Sequence, residues 1–144
     1  MVEDDTIKLL RECVAGIEMG IESLDQVIDE TEDDGLRHLL VHSKDDHLEL
    51  KKKAEKYLDK YHDEGKQPAA IAQLMSKLKT QFKLMTNHTD AEIADLMTEG
   101  CNMGVKSLNQ YLNQYPAANM EVKKLVGELI LEEEQLERKL RPYL

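Results

Sequence analysis

Apolar residues recur at intervals of three and four along nearly the whole chain, and this spacing constrains the fold more than any other feature of the sequence. In the first segment the series is Ile7, Leu10, Val14, Ile17, Ile21, Leu24 and Ile28. Such steps place the side chains on one face of an α-helix that packs against other helices. No stretch alternates apolar and polar residues as a half-buried strand does. We therefore expect an all-α protein.

Four more helical series follow, separated by polar or proline-containing breaks. Their core-facing residues are Leu36, Leu40, Ser43, His47, Leu50, Ala54, Tyr57 and Tyr61; then Ile71, Met75, Leu78, Phe82 and Met85; then Ala94, Met97, Cys101, Val105, Leu108 and Leu112; and finally Val122, Val126, Leu129, Glu133, Leu136, Leu140 and Tyr143. The breaks predict where the helices begin. Asp34 is expected to cap the second helix, Pro68 to open the third, Thr89 with Glu92 to form a capping box for the fourth, and Asn119 to cap the fifth.

The chain contains an internal repeat. Residues 16–28 match residues 100–112 at an offset of 84, with six identical pairs among 13. Further along, the match continues at an offset of 86, where Tyr57-Leu58 aligns with Tyr143-Leu144. We therefore predict a single domain over residues 1–144. It would consist of a helical hairpin at 5–62, a crossover helix at 68–87 and a second, repeated hairpin at 89–144.

The repeated motif is Gly-x-x-Met-Gly-x-x-Ser-Leu, at residues 16–24 and 100–108. Together with the duplicated hairpins, this motif resembles the ferritin-like superfamily, and within it a bacterial branch of unknown function. The resemblance implies a four-helix bundle with one additional amphipathic crossover helix. It also raises the question of metal, because ferritin-like enzymes hold two metal ions with a Glu on one helix and Glu-x-x-His on the next, twice over.

That ligand set is incomplete in this chain. Lys44 stands three residues before His47, and the interior positions of the first and fourth helices are Ile17, Ile21, Cys101 and Val105. We therefore expect no ferroxidase or oxygen-activating chemistry.

His47 and Glu133 are polar residues at core-facing positions, and the repeat makes them equivalent. Since buried polar groups need partners, the simplest interpretation is a direct hydrogen bond between the two side chains across the core. An alternative adds Glu18 and makes Glu18, His47 and Glu133 a degenerate site for a single metal ion. We favour the structural pair, and with it we expect no cofactor.

Charge is distributed unevenly along the chain. The net charge of −10 argues against binding to nucleic acid, whose phosphates it would repel. Residues 65–89, however, carry four lysines and no acidic residue. The third helix thus offers Lys77, Lys79, Phe82 and Lys83 as a candidate surface for a protein partner or a second copy of the chain. Alternatively, its lysines complement the acidic helices of the same bundle. Four lysines are a weak signal for a membrane surface.

Two further features bear on location and chemistry. No apolar run approaches the ~20 residues of a membrane span, and the acidic N-terminus is unlike a secretory signal, so we expect a cytoplasmic protein. Cys13 and Cys101 fall on or beside inward faces, where a free cysteine behaves as a small apolar residue.

The favoured prediction is a non-enzymatic helical scaffold that acts through protein contacts or self-association. The alternative is a metal-binding or redox protein with the degenerate site.

Overall fold

The computed structural model describes residues 4–66, 68–85 and 88–144, and this part of the chain contains five α-helices. They are α1 (Asp4–Ile28), α2 (Asp34–Lys60), α3 (Pro68–Leu84), α4 (Asp90–Gln114) and α5 (Met120–Leu140), followed by a 3-10 turn at Arg141–Tyr143. The described residues include no β-strand, so the prediction of an all-α protein is confirmed. None of the helices described is both long and apolar enough to cross a membrane.

Three of the four predicted helix starts are confirmed. Pro68 opens α3, the Thr89 hydroxyl accepts a hydrogen bond from the amide of Glu92 at 3.2 Å, and the Asn119 side chain accepts one from the amide of Val122 at 3.0 Å. The Thr89 and Asn119 side chains each satisfy an amide that has no partner within its own helix. The local sequence was sufficient here because a cap involves only residues three apart.

The predicted cap of α2 was wrong by one residue. Asp33, in an extended conformation, caps the helix by accepting a hydrogen bond from the amide of Leu36 at 2.8 Å, and Asp34 is already helical. The loop before this cap also makes a distant contact. The amides of Glu32 and Asp33 both donate to the carboxylate of Asp90, at 2.9 Å each, and so hold this loop against the start of α4.

The four longer helices pack side by side. α1 pairs with α2 and α4 with α5, while α2 also lies against α5 and α1 against α4. Ion pairs show the directions: Arg11 near the start of α1 binds Asp63 just after α2, at 2.6 Å. At the interface between α2 and α5, Lys53 binds Glu128 and Lys60 binds Glu121. α2 therefore runs antiparallel to both α1 and α5.

The apolar core is divided into two clusters, and both hairpins contribute to each. The first cluster contains Leu9, Leu10, Cys13, Val14, Ile17, Leu50, Ala54, Leu58, Leu108, Ala118, Val122, Leu125, Val126 and Leu129. The second contains Leu24, Val27, Leu36, Leu40, Ile93, Ala94, Met97, Cys101, Leu136 and Leu140. Between them, one residue of each long helix forms what we call the polar layer: Gly20, His47, Gly104 and Glu133.

Helix α3 runs along α1 in the same direction. Its neighbours include two ion pairs, Lys66 with Glu12 at 3.0 Å and Lys79 with Glu22 at 3.6 Å, and a contact of the His88 ring with Glu30 at 3.8 Å. No described side chain of α3 is fully buried. The helix ends at Leu84, earlier than the predicted boundary of 87, and residues 86–87 lie outside the described residues.

Candidate functional site

His47 is the most deeply buried ionisable side chain of the polar layer, with 1% of its surface exposed. Its Nδ1 lies 2.7 Å from the carbonyl oxygen of Ser43, one turn earlier on α2, and its Nε2 lies 2.9 Å from Oε1 of Glu133 on α5. The hydrogen bond predicted from the repeat is thus present. The Ser43 carbonyl can only accept, so Nδ1 donates to it; with an ionised Glu133 carboxylate Nε2 donates as well, and this is the imidazolium form.

The surroundings of His47 favour that charged form. Burial alone lowers the pKa of His47, but the hydrogen bond and charge of Glu133 outweigh it, with the Ser43 carbonyl and the charge of Glu132 adding to them. The net result is a raised pKa. Below this raised pKa the buried pair is an ion pair that links the two hairpins.

The glycines of the polar layer make room for this pair. A Cβ atom on Gly20 would lie 2.6 Å from Nε2 of His47, well inside the van der Waals limit. A Cβ atom on Gly104 would lie 3.6 Å from Oε2 of Glu133, an ordinary contact. In both repeats, the second glycine of the motif therefore faces the polar residue of the next helix. Only α1 approaches so closely that a glycine is needed.

A second set of polar side chains, those of Ser43, Glu132, Asp46 and His42, extends from the polar layer towards the surface. The Ser43 hydroxyl donates to Oε2 of Glu132 at 2.8 Å, and Oδ2 of Asp46 lies 3.4 Å from Nδ1 of His42. Burial, followed by a hydrogen bond with the carboxyl of Asp46, raises the pKa of Glu132 to about 7, although the Ser43 hydroxyl and the charge of His47 oppose this. Ser43 connects this set to the polar layer, because its carbonyl oxygen accepts a hydrogen bond from His47 while its hydroxyl donates one to Glu132.

The sequence did not identify Glu132 or Asp46. Glu132 belongs to a run of three glutamates and Asp46 to a pair of aspartates, and such runs are typical of a solvated face. Ser43, a small polar residue within the core-facing series of α2, was the available signal.

Glu18 is not part of this arrangement. It is half-buried on α1 and forms no hydrogen bond or ion pair with any described residue. Gly20 is the α1 residue that faces His47, and Glu18 precedes it by two residues, about 200° around the helix. The structure therefore brings together two of the three predicted metal ligands. Within the described ranges, no three His, Cys, Asp or Glu side chains are grouped so that they could hold a metal ion.

The polar layer also does not fit the di-metal centre that the resemblance implies. Gly20 and Gly104 supply no ligand, and the single imidazole and single carboxylate bind each other. A pair of cations needs several bridging carboxylates with coordination positions left open. The residues present instead satisfy each other without a metal.

Neither cysteine is suited to nucleophilic chemistry. Burial, together with the nearby charge and hydrogen bonding of Glu133, raises the pKa of Cys101. Burial and the charge of Glu128 raise the pKa of Cys13 to about 12. Both thiols are buried and free, so both stay protonated at neutral pH.

The predicted surface on the third helix divides into two parts. Lys79 is used internally through its ion pair with Glu22, and Phe82 packs half-buried against the second cluster, stacked on the His88 ring at 4.3 Å. Lys77 and Lys83 are exposed and pair with no acidic residue in the described ranges. At the end of the helix, Leu84 is 75% exposed.

The chain was compared with protein-family models, with curated proteins and with solved structures. None of these comparisons found a match. Its function is therefore inferred from its own residues and contacts.

Proposed function

We propose that this chain is a ferritin-like four-helix bundle without a metal centre, acting as a non-enzymatic scaffold that binds other proteins. Several contacts support the fold part of the proposal. α1, α2, α4 and α5 pack as two hairpins, and α3 runs along α1 between the levels of Glu12 and Glu30. The two repeats place equivalent residues, Gly20 with His47 and Gly104 with Glu133, at the same level. These contacts support the proposal of a bundle with one crossover connection.

The observation that carries the functional part is the exposed side of α3. Lys77 and Lys83 are cations without a partner among the described residues, on a chain whose net charge is −10. The neighbouring Leu84 adds exposed apolar surface. Lys79 and Phe82 hold the helix on the bundle, and this leaves its other side available to an acidic protein surface.

The polar layer supports a structural role over a catalytic one. His47 and Glu133 are directed at each other in the interior, and the thiol of Cys101 beside them is held in its protonated form. A general base or nucleophile must reach a substrate, and these groups reach only one another. Their contribution is to fix the register of the two hairpins.

Site-specific photo-crosslinking in cells that naturally produce the protein tests this proposal. A photoreactive amino acid replaces Lys77 or Lys83 in turn, and Lys56, an exposed lysine of α2 that also lacks an ion pair with described residues, serves as the matched control. We expect a discrete crosslinked species from the two α3 positions and none from the control position. Mass spectrometry then shows whether the partner is another protein or a second copy. Absence of crosslinks at both α3 positions would overturn the proposal.

A second candidate function is the binding of one metal ion. It is favoured by a single observation, the meeting in the polar layer of His47 and Glu133, two of the three predicted ligands, 2.9 Å apart. The test is elemental analysis of protein purified without a histidine tag. Stoichiometric iron, manganese or zinc that is lost in His47→Gln would favour this function over the scaffold, whereas a metal content far below one per chain would exclude it.

A further inference from the structure

The repeat relates a face of α1 that is covered to a face of α4 that is not. The α1 face consists of Glu12, Ala15, Met19, Glu22 and Gln26, which share one side of the helix. Lys66 and Lys79 bind Glu12 and Glu22 along this face, Ala15 is only 4% exposed, and the side-chain nitrogen of Gln26 is buried. Helix α3 thus covers it.

The equivalent residues 84 positions later form what we call the outer α4 face: Leu96, Glu99, Met103, Lys106 and Gln110. Leu96 is half-buried against the second cluster, whereas the other four are exposed, on the side of α4 opposite its buried residues Met97, Cys101 and Leu108. The helices that contact α4 most closely, α1 and α5, lie on the buried side. Within the described part of the chain, the outer α4 face therefore has no counterpart of α3.

Exposure confirms the difference between the two faces. Met103 is 69% exposed, whereas its repeat partner Met19 is half-buried. A Cβ atom on Gly100 would meet nothing within 4 Å, whereas one on Gly16 would touch a methyl group of Leu129 at 3.5 Å. Gly100 thus costs helix stability without an internal packing role.

The charges on this face are also without partners. Glu99 and Lys106 are exposed, and neither forms an ion pair with a described residue. Neither has an oppositely charged residue four positions away on α4. The neighbours of Lys106 at that spacing are Asn102 and Gln110, and those of Glu99 are Asp95 and Met103. The face therefore presents one acid and one base, one turn to either side of an exposed methionine.

We propose that the outer α4 face binds the same face of a second copy of this chain, with the two α4 helices antiparallel. A two-fold axis between residues 102 and 103 brings Met103 of each copy together, next to the space left by Gly100. Glu99 and Lys106 each lie 3.5 residues from that axis, about 5 Å along the helix. Glu99 of one copy thus faces Lys106 of the partner subunit, and the pairing occurs twice by symmetry.

The arrangement of charge identifies a second copy as the occupant. An acidic partner would leave Glu99 facing a like charge, and a basic partner would do the same to Lys106. Only a surface with the same two charges in reverse order satisfies both, and the antiparallel copy is such a surface. This interface does not involve α3, so it stands independently of the scaffold proposal.

Sedimentation equilibrium of the full chain at low salt, with charge-swapped variants, tests the interface. Glu99→Lys alone and Lys106→Glu alone each create two like-charge contacts, so we expect either to raise the dimer dissociation constant about tenfold or more. The double variant E99K/K106E restores complementarity and should return to within about threefold of the natural chain. Mixing the two single variants should give a heterodimer tighter than either homodimer. Met103→Glu should abolish dimerisation.

Matched controls are exposed residues elsewhere that likewise lack ion pairs with described residues: Glu55→Lys, Lys124→Glu and Met120→Glu. These should leave the dissociation constant unchanged, and circular dichroism checks that every variant is folded. The proposal is overturned if the natural chain remains monomeric at millimolar concentration. It is equally overturned if E99K and K106E have no more effect than the controls, or if their combination does not recover association.

Discussion

At the scale of single residues, Gly20 and His47 depend on each other. The imidazole ring occupies the space that any side chain at position 20 would need, and the ring is held there by Ser43 and Glu133. A glycine within a helix costs about 1 kcal/mol relative to alanine. Here that cost permits a buried ion pair to fit between two helices.

Gly20→Ala is therefore expected to destabilise the protein by about 1–3 kcal/mol despite the better helix propensity of alanine, because the methyl group displaces the His47 ring. Gly104→Ala, its repeat partner, meets Glu133 only at 3.6 Å and should be neutral or stabilising by up to about 1 kcal/mol. Urea denaturation of both variants measures the difference. Equal stability of the two would show that the His47 ring moves aside freely.

Stability should fall as the pH rises through neutrality. The pKa of His47 is raised in the folded state, so its contribution is complete below the unfolded value of about 6.5 and is lost as the pH rises through the folded value. The pKa of Glu132 is raised to about 7, so the folded state also binds this proton more tightly, and stability declines between the ordinary value of 4.5 and 7.

Urea denaturation between pH 5 and pH 9, compared with variants, separates the two contributions. His47→Gln should remove the loss of stability above the ordinary histidine pKa of about 6.5, and Glu132→Gln the loss below pH 7. NMR titration of the His47 ring gives its pKa directly. An ordinary value for His47 would contradict its assignment as an imidazolium in the core.

At the scale of helices, α3 differs from the other four. The others each bury at least five side chains, whereas α3 has none fully buried among its described residues and rests on α1 through Lys79 and on the second cluster through Phe82. Few buried contacts allow a segment to open without global unfolding. We therefore expect α3 to be the least stable helix.

Phe82→Ala should accelerate hydrogen exchange throughout α3 by about tenfold or more, with little change in α2 or α5, since only the packing of α3 is removed. Exchange measured by mass spectrometry resolves the helices. Lys83→Ala, next to it but exposed and without an ion pair to a described residue, is the control and should leave exchange unchanged. If α2 and α5 accelerate as much as α3, then α3 unfolds only with the whole protein.

At the scale of the whole molecule, neither hairpin has a core of its own. Both apolar clusters draw residues from α1 and α2 on one side and α4 and α5 on the other, and the buried ion pair also crosses between the hairpins. The unfolding of the two halves is thus coupled. Each of the two repeated hairpins therefore has a full apolar core only when it packs against the other.

Residues 1–64 and 89–144 expressed separately should therefore be largely unfolded, because each alone leaves its apolar face in water while still losing the entropy of ordering. Circular dichroism at 25 °C and during heating measures this. Mixing the two fragments should recover helix content. A cooperative thermal transition in either isolated fragment would show that a single hairpin is sufficient.

Local pattern in the sequence determined the helices and most of their ends, because periodicity and caps involve residues only three or four positions apart. The repeat further predicted that His47 and Glu133 meet, since equivalent core positions of two packed hairpins lie at the same level. The contact of the loop before α2 with the distant carboxylate of Asp90 could not be predicted, and the exclusion of Glu18 depended on which side of α1 faces His47. The burial of Glu132, within a run of glutamates, followed from how α5 is rotated against α2. These features were decided only by the tertiary structure, because helix rotation and loop contacts arise when all the helices pack at once.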